Sequence, residues 1–173
     1  MIRMADVKEE KKQQLSGEVV QVVSFKLATE EYGVDISQVQ EIIRMVEITH
    51  VPRAPRFMEG VINLRGQLIP IIDLRTRFGM PRAEQTKSTR IVVTEIGSKR
   101  VGIVVDSVSE VLNLPIENVE AAPEMIAGVG TEYIQGVGKM AERLIIMLDL
   151  TMVISVDEKH QLDQISDQAI AGV

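Results

Sequence analysis

Histidine is the residue type that most often binds metals or transfers protons in proteins, and this sequence has two. Neither lies in a setting suited to a metal site or to proton transfer. His50 falls in a predicted loop and His160 in a predicted C-terminal helix, without the HExxH or HxH spacing of a metal site. The chain has no cysteine, which excludes disulfide frameworks, thiolate zinc sites, iron–sulfur clusters and thiol nucleophiles. The sequence therefore predicts neither a metal nor a cofactor.

Four aspartates stand where apolar segments predicted as strands end: Asp35, Asp73, Asp106 and Asp149. If the fold brought them together, such carboxylates could act as a general acid and base or could bind a hard cation. The alternative is that each one caps the helical turn after its strand, a role that Asp35 with Gln38 suggests. Because no nucleophile or base accompanies these residues, we expect capping and no catalytic activity.

The composition limits the classes of partner that this protein could bind. The chain has 173 residues, of which 45% are apolar, 25% charged and only 3% aromatic, and its formal net charge is −6. An acidic chain with few aromatic residues is a poor match for nucleic acid or for an anionic membrane surface. No apolar run approaches the ~20 residues of a membrane span, and the N-terminus lacks the apolar core of a secretory signal. We therefore expect a cytoplasmic protein that binds no nucleic acid and does not insert into the membrane.

The elements that must position these residues are short strands. Segments rich in Val and Ile, such as 19–27, 89–96, 101–105 and 144–148, are mostly bounded by Gly, polar or charged residues, which is typical of an all-β fold. Arg65 and Gly66 predict a two-residue hairpin turn. Pro70 predicts a bulge or an edge in its strand. Single helical turns are predicted after Asp73 and after Pro115, and no longer helix is predicted in the body.

The two ends of the chain differ in pattern. Residues 1–18 are polar with charges that nearly cancel, and they predict a frayed N-terminal tail. Near the other end, Ser155 and Glu158 form a capping-box pattern, and the apolar residues that follow share one helical stripe. We therefore expect a C-terminal helix over 156–173.

An internal repeat organises the body. VDISQVQEI (34–42) matches IVVDSVSEV (103–111) at an offset of 69 residues, and GVINLRGQLIPIIDL (60–74) matches GVGKMAERLIIMLDL (136–150) at an offset of 76. Two collinear matches indicate two related units, about 19–80 and 88–155, joined by a polar linker over 81–88. Each unit holds about five short strands, as in a small SH3-like or OB-like barrel.

One apolar strip could be a surface. Ile36, Val39 and Ile42 recur at three-residue spacing among polar residues. Such a strip is either core or a groove that receives a partner helix, and composition does not separate the two.

Four segments resemble the CheW family of bacterial chemotaxis coupling proteins: EEYGVDISQVQEI (30–42), FMEGVINLRGQLIPIIDLRTRFG (57–79), VGIVVDSVSEVL (101–112) and EYIQGVGKMAERLIIMLDL (132–150). The resemblance covers residues 19–155. It implies two intertwined five-stranded β-barrels with exchanged strands and no catalytic activity. It also implies an adaptor that binds chemoreceptors and the regulatory domain of the histidine kinase CheA, and that is recruited from the cytoplasm to membrane receptor arrays.

The resemblance also implies site residues. The receptor groove maps onto Val23, Ile36, Val39, Ile42 and Val108. A charged pair maps onto Glu41 and Arg65, and we expect it to be exposed and specific to the first unit, since Ala141 stands at the place of Arg65 in the second. The kinase-binding surface is expected around Ile48, Val51, Pro52 and Gly60.

Three other interpretations stay open. The first is a kinase regulatory domain cut from a larger protein, which we disfavour because the chain starts with Met and has no ATP-site or receiver pattern. The second is a small OB-like nucleic-acid binder, which a basic stripe with aromatic residues would favour. The third is a hydrolase that uses the strand-end carboxylates.

Overall fold

The computed structural model describes residues 2–4, 18–121 and 133–153. Twelve strands lie in these residues: β1 (Ile2–Arg3), β2 (Val19–Leu27), β3 (Glu30–Asp35), β4 (Val39–Arg44), β5 (Met58–Leu64), β6 (Gln67–Asp73), β7 (Arg90–Ile96), β8 (Lys99–Val105), β9 (Ser107–Pro115), β10 (Val119–Glu120), β11 (Ile134–Met140) and β12 (Arg143–Leu148). Two short helices follow β6 and β12: α1 (Leu74–Arg77) and α2 (Leu150–Val153). The predicted C-terminal helix over 156–173 lies outside the described residues.

The strands form two sheets, and each sheet mixes strands from both repeats. The first sheet has the order β1-β4-β7-β8-β6-β5, and the second has the order β10-β11-β12-β3-β2-β9. The β2–β3 hairpin of the first repeat thus lies in the second sheet, while the β7–β8 hairpin of the second repeat lies in the first sheet. The predicted pair of intertwined five-stranded units is confirmed, with a two-residue strand added to each.

Backbone geometry repeats along with the sequence. Arg65 and Ala141 stand at equivalent hairpin turns with φ angles of 51° and 54°. Gly66 follows with φ of 85°, and the β5 and β6 strands pair directly across this turn, so the predicted two-residue hairpin is confirmed. The single helical turns predicted after Asp73 and Pro115 are also present, as α1 and as a 3-10 turn.

The largest apolar core joins the two sheets. It contains Val23 and Phe25 from the second sheet and Val92 and Ile103 from the first, all almost fully buried. Each sheet also encloses a smaller cluster of its own, six buried residues around Ile71 in the first sheet and five around Leu114 in the second. Burial of apolar surface between the sheets therefore stabilises the two units as one body.

The N-terminus departs from the predicted polar tail. Ile2 and Arg3 pair with Ile42 and Glu41 as an antiparallel addition to β4, and Met4 is only 1% exposed within the largest core. The prediction of a frayed tail is therefore wrong for residues 2–4, because a buried methionine anchors them. Residues 5–17 lie outside the described part of the chain.

No helix among the described residues has both the length and the apolar character that a membrane crossing requires.

Candidate functional site

Three of the four strand-end aspartates cap helical turns. Asp35 accepts a hydrogen bond from the amide two residues later at 2.8 Å, and Asp73 and Asp149 do the same at 3.0 Å. Asp73 and Asp149 are equivalent in the two repeats and precede α1 and α2. The capping interpretation is therefore confirmed at these positions.

Asp106 differs from the other three aspartates. Its carboxylate accepts hydrogen bonds from the Ala28 amide at 2.8 Å and from Nε of Arg75 at 2.9 Å, and it forms an ion pair with Arg75. The hydrogen bonds from Arg75 hold the pKa of Asp106 below its ordinary value, against the opposing effect of partial burial. The capping prediction is wrong here, because Asp106 instead ties α1 to the turn between β2 and β3.

The five residues predicted to line the receptor groove are mostly core. Val23 and Val39 are 0% exposed, Ile36 is 5% and Ile42 is 8% exposed, and all four belong to the largest core. Val108 is partly exposed and packs against that core from β9. These four side chains are therefore packed in the core of the free chain, and their role as groove contacts stays a prediction. Val108 alone among the five offers surface.

Glu41 and Arg65 meet as predicted, but their pair is not a freely exposed one. Nη1 of Arg65 lies 3.3 Å from Oε2 of Glu41, and Nη2 forms an ion pair with Oε1. The Glu41 side chain is 6% exposed and that of Arg65 is 46% exposed. The hydrogen bonds with Glu41 raise the pKa of Arg65. Since Glu41 lies on β4 and Arg65 in the β5–β6 turn, near the two edges of the first sheet, their contact closes that sheet into a barrel.

A comparable ion pair closes the second sheet. Nη1 of Arg143, on β12, lies 2.8 Å from Oε1 of Glu110, on the edge strand β9. Arg143 also pairs with Glu31, whose carboxylate accepts a hydrogen bond from Ser24. Burial alone would raise the pKa of Glu31, but the hydrogen bonds from Arg143 and Ser24 outweigh it and lower that pKa. Glu110 is the equivalent of Glu41, so the expectation that such a pair is specific to the first unit is wrong.

The predicted kinase-binding residues differ in accessibility. Pro52 is exposed, and Ile48 and Val51 are half-buried, whereas Gly60 is buried. A Cβ atom on Gly60 would lie 2.2 Å from the carbonyl oxygen of Thr49. Gly60 is therefore corrected from a contact residue to a structural one, because it lets the loop that precedes β5 lie against that strand. Other apolar surface in the segment between β4 and β5 comes from Val46, which is 45% exposed.

One cluster was missed by sequence reasoning. All five aromatic residues of the chain, three Phe and two Tyr, gather around α1. Phe25, Tyr32, Phe78 and Tyr133 form a continuous row with ring centroids 5.6–6.0 Å apart. Such ring pairs stabilise a protein beyond the area that they bury, but no spacing in the sequence indicates that these residues meet.

Arg77 completes this aromatic cluster. Its guanidinium lies 5.6 Å from the ring centroid of Phe57 and 5.2 Å from that of Tyr133. Its Nε also donates to the carbonyl oxygen of Val153, at 2.7 Å. Arg77 therefore links α1 of the first repeat to α2 of the second.

Comparisons with known proteins show which proteins this chain is similar to. The family profile of the CheW-like domain matches residues 21–158. The chain is 40% identical to the chemotaxis protein CheW of Klebsiella aerogenes over 154 residues, which are 88% of this chain and 93% of that protein. It is 34% identical to the chemotaxis protein CheW of Treponema pallidum over 152 residues, which are 86% of this chain and 89% of that protein.

A solved structure agrees with these matches. The crystal structure of the scaffolding protein TtCheW from Thermoanaerobacter tengcongensis superposes with a TM-score of 0.75 at 36% sequence identity. The superposition covers 83% of this chain and 92% of that one. The sequence matches and the structural match thus indicate the same kind of protein, and they cover both sheets.

Proposed function

The chain belongs to the CheW family and is a chemotaxis coupling adaptor, and from this we propose that it binds chemoreceptors and the histidine kinase CheA at the same time. The observation that carries the proposal is the family match over residues 21–158, which spans both intertwined sheets. Since each sheet needs strands from both repeats, we propose that residues 19–155 act as one folded unit. We further propose that the protein works in the cytoplasm, at receptor arrays.

We propose a non-catalytic role. The support is that the strand-end carboxylates are engaged in structural contacts: Asp35, Asp73 and Asp149 cap helical turns, and Asp106 is bound by Arg75. A carboxylate that holds a backbone amide or a guanidinium is not poised to move a substrate proton. Binding at surfaces then remains as the activity of the protein.

The receptor surface is proposed around Val108. This residue is partly exposed while its inner side packs against the core that holds Val39 and Ile42. An apolar side chain that packs on the core with one side and is accessible to solvent on the other suits the apolar face of a partner helix. The kinase surface is proposed in the segment between β4 and β5, where Val46 and Pro52 are exposed.

Co-sedimentation tests the proposal. The wild-type protein should sediment with a chemoreceptor cytoplasmic fragment and CheA together, and each pair should also be measured alone. Val108→Asp should lose receptor binding and keep both kinase binding and its melting temperature. Val23→Asp is the matched core control, since a charge at a fully buried site should unfold the domain and remove both activities. Failure of the wild-type protein to bind either partner would refute the adaptor role.

A further inference from the structure

A short segment at the N-terminus lies along the edge of the first sheet. Ile2 and Arg3 pair antiparallel with Ile42 and Glu41 of β4, which without β1 would be the outermost described strand of that sheet. The Met4 side chain is only 1% exposed and belongs to the largest core, as Ile42 does. The segment is thus held by the backbone pairing of two residues and by one enclosed side chain.

The second sheet has no such strand at the equivalent edge. The repeat offset of 69 makes β9 the counterpart of β4, and β9 ends its sheet with no described strand beyond it. Val111 on β9 is the equivalent of Ile42, and it is half-buried, whereas Ile42 is 8% exposed. A barrel of this kind therefore does not require a strand at this edge.

The opposite edges of the two sheets do correspond. Thr49 pairs with Val61 beside β5, and Glu120 pairs with the equivalent Val137 beside β11. The family profile of the CheW-like domain also begins only after the N-terminal segment. The β1 strand is therefore an addition to the architecture that the two repeats share.

We propose that the edge of β4 beside Glu41 and Ile42, together with the cavity that holds Met4, is a binding site for an extended peptide segment, called here the β4 site, and that residues 2–4 are its displaceable resident ligand. A ligand of this class pairs its backbone with a strand edge and buries one apolar side chain, as in β-strand addition. Methionine suits the cavity because its unbranched side chain adapts to an irregular space. The N-terminus is then an autoinhibitory contact, since it fills an edge at which another strand could pair. This inference does not depend on the proposed adaptor role.

The contacts of the segment favour exchange over permanent attachment. Its two paired residues compare with five residues of β4 that pair with β7 on the other side. Ordering each residue costs conformational entropy, which offsets much of the stabilisation from two pairs and one buried side chain. Since the shared architecture does not require β1, the segment can leave the β4 site while both barrels stay folded.

The covalent connection sets the affinity that the β4 site needs. Residues 5–17 join the segment to the domain. A short connection of this kind gives an effective concentration on the order of millimolar, so a segment that fills the site most of the time needs a Kd of about 0.1 mM or less. The same segment supplied as a free peptide should bind an emptied β4 site with that affinity.

A peptide titration of the full chain tests the proposal. Met4→Asp should release the N-terminal segment, because an enclosed apolar cavity does not accept a charge. A synthetic peptide of residues 1–8, MIRMADVK, should bind this variant in calorimetry or in an NMR titration and should raise its melting temperature. The wild type should bind the peptide about tenfold more weakly or less, since its own segment competes for the site.

Two altered peptides identify the contact that matters. The peptide with Met4→Ala should bind the Met4→Asp protein more than about tenfold more weakly, because it leaves the cavity unfilled. The peptide with Arg3→Gln is the matched control, and it should lose less than about threefold, since Arg3 is exposed. Equal binding of the Met4→Ala peptide and the unaltered peptide would overturn the β4 site.

The remaining outcomes are also decisive. Absence of peptide binding by a folded Met4→Asp protein would overturn the proposal. If Met4→Asp does not fold, the milder Met4→Ala protein takes its place in the same titration, with binding expected and its absence overturning the β4 site. A wild type that sediments as a dimer beside a monomeric variant would assign the segment to a second copy and overturn the autoinhibitory contact within one chain.

Discussion

Glu41 and Glu110 occupy equivalent positions in the two repeats, and each carboxylate is bound by an arginine from an element that is not its neighbour in the sheet. The arginines are not equivalent: Arg65 stands in a hairpin turn, while Arg143 stands in β12. The two barrels therefore achieve the same closure with different residues. The Arg–Glu contact is thus common to both barrels, whereas the sequence position of the arginine is not.

Arg65→Ala should destabilise the protein through Glu41 and not through the turn. Ala141 adopts the same backbone angle in the second repeat, so alanine is compatible with the β5–β6 turn. Glu41, however, would keep a buried carboxylate without the guanidinium that now binds it. We expect a loss of about 1–3 kcal/mol in the free energy of unfolding, more than an exposed pair would contribute. Urea denaturation measures this loss.

The double variant Glu41→Gln with Arg65→Ala separates the two causes. Replacing the carboxylate by a neutral amide removes the buried charge, so the double variant should regain part of the stability lost in Arg65→Ala. If both variants unfold at the same urea concentration, the loss comes from the turn and not from Glu41.

Gly60→Ala should be far more damaging than Gly66→Ala. The added methyl group at Gly60 would lie 2.2 Å from the Thr49 carbonyl oxygen, a backbone atom that itself accepts the Val61 amide. We expect a loss of about 3 kcal/mol, and circular dichroism melts would measure it. Gly66 has open space around it and a φ of 85°, so its substitution should cost only about 1 kcal/mol. Equal melting temperatures for the two variants would contradict the close approach at Gly60.

Local features were predictable from the sequence because the residues that determine them are neighbours. The hairpin at Arg65 and Gly66 depends on two adjacent residues, and the cap at Asp73 depends on an amide two positions away. The repeat also predicted the two-barrel fold, since Asp73 and Asp149 mark the same strand end in both copies. These inferences needed no knowledge of which strands become neighbours.

Long-range features were not predictable in the same way. The pair between Glu110 and Arg143 depends on the sheet curling until β12 approaches β9, which no spacing in the sequence reports. The burial of Val39 likewise depends on the second sheet covering β4. An apolar strip looks the same in sequence whether a partner or another part of the chain covers it, so core and groove could not be separated.

Arg77→Met should loosen the connection between the repeats. Methionine keeps most of the aliphatic stem but loses the two contacts with the Phe57 and Tyr133 rings and the hydrogen bond to Val153. We expect a loss of about 2 kcal/mol in the free energy of unfolding. Arg82→Met is a suitable control, because Arg82 is 68% exposed and its ion pairs should contribute little. Similar stability changes in the two variants would argue against a connecting role for Arg77.

Asp106 should make the stability of the protein depend on acidic pH. Its pKa in the folded state lies below the ordinary value of 3.8, so the unfolded chain takes up the proton first as the pH falls. The stabilisation is therefore complete above the unfolded pKa and is lost as the pH falls through the folded pKa. Asp106→Asn should be less stable than the wild type at neutral pH, and the difference should shrink between about pH 5 and pH 3. A constant difference in stability between Asp106→Asn and the wild type over this pH range would contradict the prediction.

Pro52→Asp should weaken CheA binding with little effect on the fold. Pro52 is exposed in the segment between β4 and β5, whereas Val51 is half-buried and packs against the largest core. A charge at Val51 would therefore disturb folding as well as binding, which makes Pro52 the cleaner probe. If Pro52 lies near the centre of the kinase interface, we expect a loss on the order of 2 kcal/mol in binding free energy, measured by calorimetry. Leu144→Asp, at a 60% exposed apolar residue of the second sheet, is a control for adding charge to exposed apolar surface. Unchanged CheA affinity in Pro52→Asp with reduced affinity in Leu144→Asp would move the kinase surface to the second barrel.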